Sequence, residues 1–350
     1  MLPQQAIAEQ LGISRSAVAG HIMNLTDKGL IKGRGYVLSA ARFVTIVGGA
    51  NVDIHGKSLG ELRAKDSNPG TVHTSAGGVA RNIAENLARL GVDARLISAI
   101  GDDHHGEMLM RLSRDAGIDM QNVHEIPTAP TSTYLSVVDE SGEMQVAIAD
   151  MSIIDQLGAA RLKTHKALLR QSSLIILDSN LPDDALAWLT RSAKYTPIFA
   201  DTVSTAKALR IKPYLSSIHT LKASSLEATA LTACETRTQS QMRHVADLLH
   251  EQGVQRVFIT RGAQGVFYSD GTTSGVAKFR RKTRAIQNTG GAGDAFLAGL
   301  AYGWLEDMPT SDALAFALAA ADITLSHSST SSPVLSVAAV TQSLETQRAE

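Results

Sequence analysis

The chain has 350 residues, more than one small domain needs, so two or three folding units, or one large α/β domain with an appendage, are expected. Its 33 Lys plus Arg balance 34 Asp plus Glu, and a net charge of −1 excludes a bulk polyanion binder while leaving room for a local basic patch. One cysteine, Cys234, excludes a disulfide framework or cysteine-cluster metal site. With no long apolar run and no secretory leader, no membrane contact and a cytoplasmic location are expected.

Residues 1–40 differ from the rest. Gln4 to Leu11 reads as a short helix with Pro3 in its first turn, followed by a tight turn at Gly12-Ile13. Ser14 is a good N-cap for a second helix, along which Val18, Ile22 and Leu25 recur at helical spacing until Gly29. Leu30 to Leu38 then reads as two short strands around a glycine turn. Helix, turn, helix and β-wing in this order resemble a partial winged helix-turn-helix. The resemblance implies DNA as a partner, with Ser14, Arg15, Ser16 and His21 as candidate groove contacts and Lys32 and Arg34 on the wing facing phosphates. The competing reading is a small helical cap or dimerisation arm.

From residue 43 to about 340 the pattern becomes β-then-α. Near-continuous apolar runs at Phe43–Val47, Leu96–Ile100, Leu174–Asp178, Ile198–Asp201, Ile218–Leu221 and Val257–Thr260 read as buried parallel strands. Helical stretches lie between several of them, such as Val79, Ile83, Leu87 and Leu90 before Gly91. The expectation is a doubly wound α/β/α sandwich. Thr133–Val138 and Gln145–Ala149 alternate around Asp139-Glu140-Ser141-Gly142 and read as a hairpin belonging to a small β-sheet lid. Residues 341–350 read as a polar, frayed tail.

Three glycine-rich segments carry the chemistry. Asn288-Thr289-Gly290-Gly291-Ala292-Gly293-Asp294 leads into a long apolar helix starting near Ala292. Unpaired amides and the positive end of a helix suit a phosphate there, and an aspartate in the first turn can take a proton from an attacking alcohol. The segment lacks the Lys-Ser/Thr ending of a Walker loop. Ala76-Gly77-Gly78-Val79-Ala80-Arg81-Asn82 places glycines before another helix, with Asn82 one turn in. Gly48 to Asp53 follows the first strand, where open α/β sheets bind ligands, so Asn51 and Asp53 are candidate ligand contacts.

Together these residues resemble the PfkB, or ribokinase-like, family of sugar and nucleoside kinases over about residues 43–340. The resemblance implies ATP-dependent phosphorylation of a primary hydroxyl, with Mg2+. It assigns Asp294 as catalytic base and Gly291, Ala292 and Gly293 as the anion hole. Asp53 would grip sugar hydroxyls, helped by Asn51, Gly77, Gly78 and Asn82. Thr260, Gly262 and Gly265 would hold ATP, and Ser224 and Glu227 stand where the family carries Asn-x-x-Glu, Glu227 organising Mg2+ through water. Asn288 stands where many members carry an aspartate of a monovalent-cation site, which leaves potassium activation open. Lid-mediated dimers in the family imply a possible homodimer.

Stretches such as Asp66–Gly70, Ser132–Ser136, Gly142–Met144, Leu177–Leu181 and His219–Lys222 are most similar to the pseudouridine kinases of that family. This implies a ribonucleoside acceptor, with Thr133 or Asn180 reading the edge of the base. Another nucleoside, a free sugar, or a nucleoside-sensing transcriptional regulator built on the kinase fold are the alternatives.

Overall fold

The computed structural model describes residues 4–28, 30–32, 37–38, 42–279, 286, 290–327 and 329–349. Its centre is an eight-stranded sheet in the order Ser274–Ala277, Val266–Ser269, Arg256–Thr260, Thr220–Ser224, Ile198–Asp201, Leu174–Asp178, Phe43–Val47, Asp93–Ile97. The six strands from Arg256–Thr260 to Asp93–Ile97 run parallel, and the two at the other edge are antiparallel.

The buried strands are apolar on both sides because both sides are covered. Ile175 and Leu177 enter one core with Leu186, Leu189, Val245 and Leu249 from the helices Asp183–Ser192 and Gln239–Glu251. Leu174 and Ile176 enter the other, with Ile83, Leu87, Phe296 and Leu300 from Val79–Arg89 and Ala292–Leu305. This is the doubly wound sandwich expected.

A second sheet has four strands in the order Met144–Asp150, Thr133–Val138, Asn51–Ser58, Gly70–Gly77. It is the lid, and the expected hairpin forms two of its strands. One face is polar: Asp53 pairs with Tyr134 and His55 with Ser136. The other carries Val72, Leu135, Val146 and Ile148, all exposed.

Three sequence expectations need correction. The run Leu96–Ile100 is two strands: Asp93–Ile97 in the main sheet, and Ala99–Gly101, which pairs with His124–Ile126. The break falls at Ser98, whose hydroxyl donates to the Gly48 carbonyl at 2.7 Å. The strand expected at Ile218–Leu221 is Thr220–Ser224, because Ile218 is buried as the cap of the preceding 3-10 turn. The expected tail is part of a helix, Val337–Ala349, whose Val340 and Leu344 pack on Leu90 and Phe316.

At the N-terminus, helices Gln4–Leu11 and Arg15–Asp27 pack through Ala8 and Val18, and Ile31–Lys32 pairs antiparallel with Val37–Leu38. Ser14 caps the second helix by accepting from the Ala17 amide at 3.1 Å. Gly29 and Arg34 lie outside the described residues.

Candidate active site

The strand Phe43–Val47 has Asp93–Ile97 on one side and Leu174–Asp178 on the other, so the chain changes direction around it. Ligand crevices in such sheets open at the carboxyl ends of the strands flanking this point. Asp178 ends one of them, fully buried. Its Oδ2 accepts from the Gly49 amide at 2.9 Å and the Ala80 amide at 3.1 Å, and its Oδ1 from the Asn180 amide at 2.9 Å. Burial raises its pKa against these donors. One carboxylate thus fastens three segments of the crevice.

Glycine is required at residue 78. Its φ is +100°, and a Cβ there would lie 2.5 Å from the Gly49 carbonyl oxygen and 2.6 Å from Ala50 Cα. A Cβ on Gly77 would collide with the Asp53 carboxylate. Asp53 is buried and accepts from Asn51 Nδ2 at 2.7 Å. Burial raises its pKa, opposed by the Asn51 bond and by His55 and Arg81. Thr133 pairs with the buried Val52, on the opposite face from Asp53, so the strand partner sharing the face of Asp53 is Tyr134. The alternation of side chains along the strand turns the expected Thr133 contact away.

The two glycine motifs meet directly. Asn82 Nδ2 donates to Asp294 Oδ2 at 2.9 Å, across 212 residues of sequence. Asp294 stands in the first turn of Ala292–Leu305, a helix capped by Gly291 at φ +76°. A Cβ on Gly291 would run into the Thr330 carbonyl. Asp294 is 7% exposed. Burial first, then the charge of Asp201, push its pKa up to about 7, with Lys222 and Asn82 pulling the other way.

Lys222 is the cation of this cluster. Its Nζ donates to Asp201 Oδ2 at 2.9 Å, and a Cβ on Gly293 would lie 2.7 Å from that nitrogen. Burial works against its charge, but Asp201, Asp294 and Glu227 outweigh burial and raise its pKa. The lysine is therefore charged immediately beneath the proposed anion hole.

Next to it, Ser224 and Glu227 form a capping box. Ser224 Oγ accepts from the Glu227 amide at 3.3 Å, and Glu227 Oε2 accepts from the Ser224 amide at 2.7 Å and from Thr202 Oγ1 at 2.5 Å. Serine in place of the family's asparagine thus keeps the N-cap, a role that either residue fills. The other carboxylate oxygen of Glu227 accepts no hydrogen bond among the described residues. Beyond this box lies a cleft of about 670 Å³ lined by Leu226, Thr236, Arg237, Thr260 and Gly262. Leu226 is 73% exposed there, an apolar surface for a flat ring. Gly265 closes the adjoining turn at φ +92°, against the Ala277 carbonyl. Asn288 lies outside the described residues. Among those described, no cluster of three or more His, Cys, Asp or Glu could hold a metal by itself.

Asn180 is buried near the crevice, its Oδ1 accepting from Lys207 Nζ and its carbonyl from Arg210 at 3.0 Å. The candidate DNA contacts sit apart from this site. Arg15, Ser16 and His21 are exposed on the second helix, while the Ser14 hydroxyl is occupied as a cap. The backbone of Lys32 lies in the wing.

Asp178, Asp201 and Lys222 were not singled out from the sequence as site residues. A signal existed for the aspartates, since each ends an apolar strand at the carboxyl edge. Lys222 closes the stretch His219–Lys222 that resembles the pseudouridine kinases, but nothing in that stretch marks it as the cation of the site.

Residues 41–337 match the pfkB family carbohydrate kinases, and residues 2–32 match the winged helix-turn-helix DNA-binding family. The chain is 38% identical over 336 residues to YeiI of Escherichia coli K12, an uncharacterized sugar kinase, covering 96% of this chain and 92% of the relative. It is also 38% identical over 303 residues to the pseudouridine kinase of the same organism, covering 87% and 96%. A carbohydrate kinase from Agrobacterium tumefaciens superposes with a TM-score of 0.76 at 31% identity, over 87% of this chain and 97% of that one. Arabidopsis thaliana ribokinase complexed with ribose and ATP shares the fold, with a TM-score of 0.78 at 22% identity over 87% and 99%. With both glycine motifs joined through Asn82 and Asp294 in this fold, the chain belongs to the pfkB family of carbohydrate kinases, which transfer phosphate to a hydroxyl acceptor.

Proposed function

We propose that this kinase transfers the γ-phosphoryl group of ATP to the 5′-hydroxyl of a ribonucleoside, pseudouridine first among the candidates. The observation that carries the reaction is the Asn82–Asp294 hydrogen bond, which holds a buried carboxyl of near-neutral pKa at a helix N-terminus. A base works best when its pKa lies near the working pH. Asp294 removes the hydroxyl proton as the oxygen attacks. The amides around Gly291, Ala292 and Gly293 and the Lys222 ammonium face the charge on the transferring group. Asp53, oriented by Asn51, accepts from the sugar hydroxyls, and the polar lid face of Tyr134 and His55 covers the acceptor side. ATP lies along Thr260, Gly262 and Leu226. Mg2+, when bound with the nucleotide, would neutralise phosphate charge there, and Glu227, with one oxygen tied and one open, is the carboxylate that would hold its waters.

Pseudouridine kinase at 38% identity supports the acceptor, and so does the resemblance of the stretches around the lid and crevice mouth to those kinases. Asn180 would read the base: its Oδ1 accepts from Lys207 and its amide NH2 already has the Asp178 carboxylate as a partner, so the second N–H would be the donor toward a carbonyl of the ring. The test is ATP-dependent phosphorylation of pseudouridine, uridine, inosine, adenosine, cytidine, ribose and fructose by wild type and Asp294→Asn. A pseudouridine product lost at least about 100-fold in the variant supports base and acceptor together. Another preferred nucleoside would discard the acceptor and keep the mechanism. Turnover surviving in Asp294→Asn would discard the base.

A second reading concerns the N-terminal unit. Its match to winged helix-turn-helix segments supports DNA binding, and the alignment with YeiI, at 96% of the chain, reaches into that unit. On this reading a nucleoside bound in the kinase domain and DNA bound at Arg15, Ser16 and His21 change each other's affinity reciprocally.

A further inference from the structure

A cleft of about 770 Å³ lies at the amino ends of the strands, opposite the active site, between the second N-terminal helix and the kinase domain. Ser172 and Ser173, before the strand Leu174–Asp178, and Thr196, before Ile198–Asp201, form its floor. Six cations line it: Lys28, Arg42, Lys166, Arg170, Arg191 and Lys194. Among the described residues Asp27 is the only acid on its wall. Among the described residues none of the six makes an ion pair, whereas Arg81, Arg89, Arg95, Lys222 and Arg237 elsewhere all do. Lys166, Arg170, Arg191 and Lys194 are exposed. A chain of net charge −1 has therefore gathered unneutralised positive charge at one place.

We infer that this cleft is a phosphate-backbone seat for duplex DNA, so that the kinase domain itself contacts the DNA engaged by the helix-turn-helix. The inference rests on the DNA reading above and extends it beyond residues 1–40. Three observations support duplex DNA as the occupant. The charge is uncompensated and complementary to a polyanion. The cleft adjoins the C-terminal end of the helix that would enter the major groove: Asn24, Asp27 and Lys28 are on its wall. A helix lying across a groove points its ends at the flanking backbones, and the carbonyl end of a helix repels phosphate unless cations stand beside it. Lys28 caps that end and stacks over the Tyr195 ring at 5.0 Å, which ties the helix to the kinase-domain wall.

The test uses the full chain and a labelled random-sequence duplex, with binding followed by polarization across a salt series. It compares wild type with the quadruple variant Lys166→Gln, Arg170→Gln, Arg191→Gln, Lys194→Gln, and with Arg15→Ala. Each phosphate contact contributes about 0.9 to the slope of log affinity against log salt. The quadruple variant should flatten that slope by about 3–4 and remove roughly a hundredfold of the affinity change between 50 and 200 mM salt. Its phosphorylation activity and melting temperature should stay those of wild type. An unchanged slope in the quadruple variant, with Arg15→Ala weakened, overturns the kinase-domain seat and leaves the helix-turn-helix reading standing. No binding by wild type at low salt overturns both. Tighter, cation-dependent binding to single-stranded RNA or to anionic vesicles than to the duplex overturns the choice of DNA.

Discussion

Asp294→Asn should make the protein more stable while abolishing catalysis, and the gain should depend on pH in a calculable way. In the folded chain the Asp294 carboxyl titrates at about 7, against 3.8 for an ordinary aspartate. Between those values the folded state holds a proton that the unfolded state has released, so wild-type stability falls as pH rises through that window and levels off above about 7. Asparagine has no such slope. Each unit of the window is worth about 1.4 kcal/mol, so the gap between variant and wild type should widen by about 3 kcal/mol between pH 5 and pH 8. The group is 7% exposed, so solvent screening removes little of this. Lys222 keeps Asp201 as its partner in the variant, so no new unpaired charge is created. Urea unfolding of the ligand-free protein at both pH values measures the gap as the change in midpoint multiplied by the m-value. A gap that changes by less than about 1 kcal/mol between the two pH values, or narrows toward pH 8, would refute the reading of Asp294 as a costly buried carboxylate.

The same carboxyl should give kcat/KM an ascending limb with an apparent pKa near 7, since that ratio reports the free enzyme, and a profile flat from pH 5.5 to 8.5 would contradict it. Lys222→Met should lower kcat by about 100-fold or more with a smaller effect on acceptor KM, because the charge acts on the transferring group; steady-state kinetics with the acceptor varied separates the two. Ile148→Glu on the apolar outer face of the lid should shift any dimer toward monomer in sedimentation, while leaving the polar inner face intact.

Much of the fold was legible because the physics was local and repeated. Apolar runs ending in Asp178 and Asp201, helices closed by glycine, and an alternating hairpin each carry their own signal. The errors came where burial and strand pairing part company. Ile218 is as buried as a strand residue but belongs to a turn, and Ser98 interrupts an apolar run because its hydroxyl is needed at Gly48. At the site, glycine requirements and the Asp294 motif could be read in advance because each is a short sequence with one geometric purpose. Thr133 could not be placed correctly, since its facing depends on a register with Val52 across 81 residues. The role of Lys222 is illegible for a related reason. Its charge is stabilised by Asp201, Asp294 and Glu227, three residues scattered from 201 to 294 that only the folded sheet brings together.

Arg42 has a consequence for anyone separating the two units. Its guanidinium donates to the Leu305 carbonyl at 2.9 Å, at the far end of the helix that starts at Ala292. A cation on the last carbonyls of a helix stabilises the end it touches. The rod that presents Asp294 to its substrate is thus bolted at the back by a residue lying just outside the first strand of the kinase sheet. A shortened chain beginning at Arg42 keeps the bolt, and one beginning at Phe43 loses it, so two cuts one residue apart would yield kinases of different rigidity.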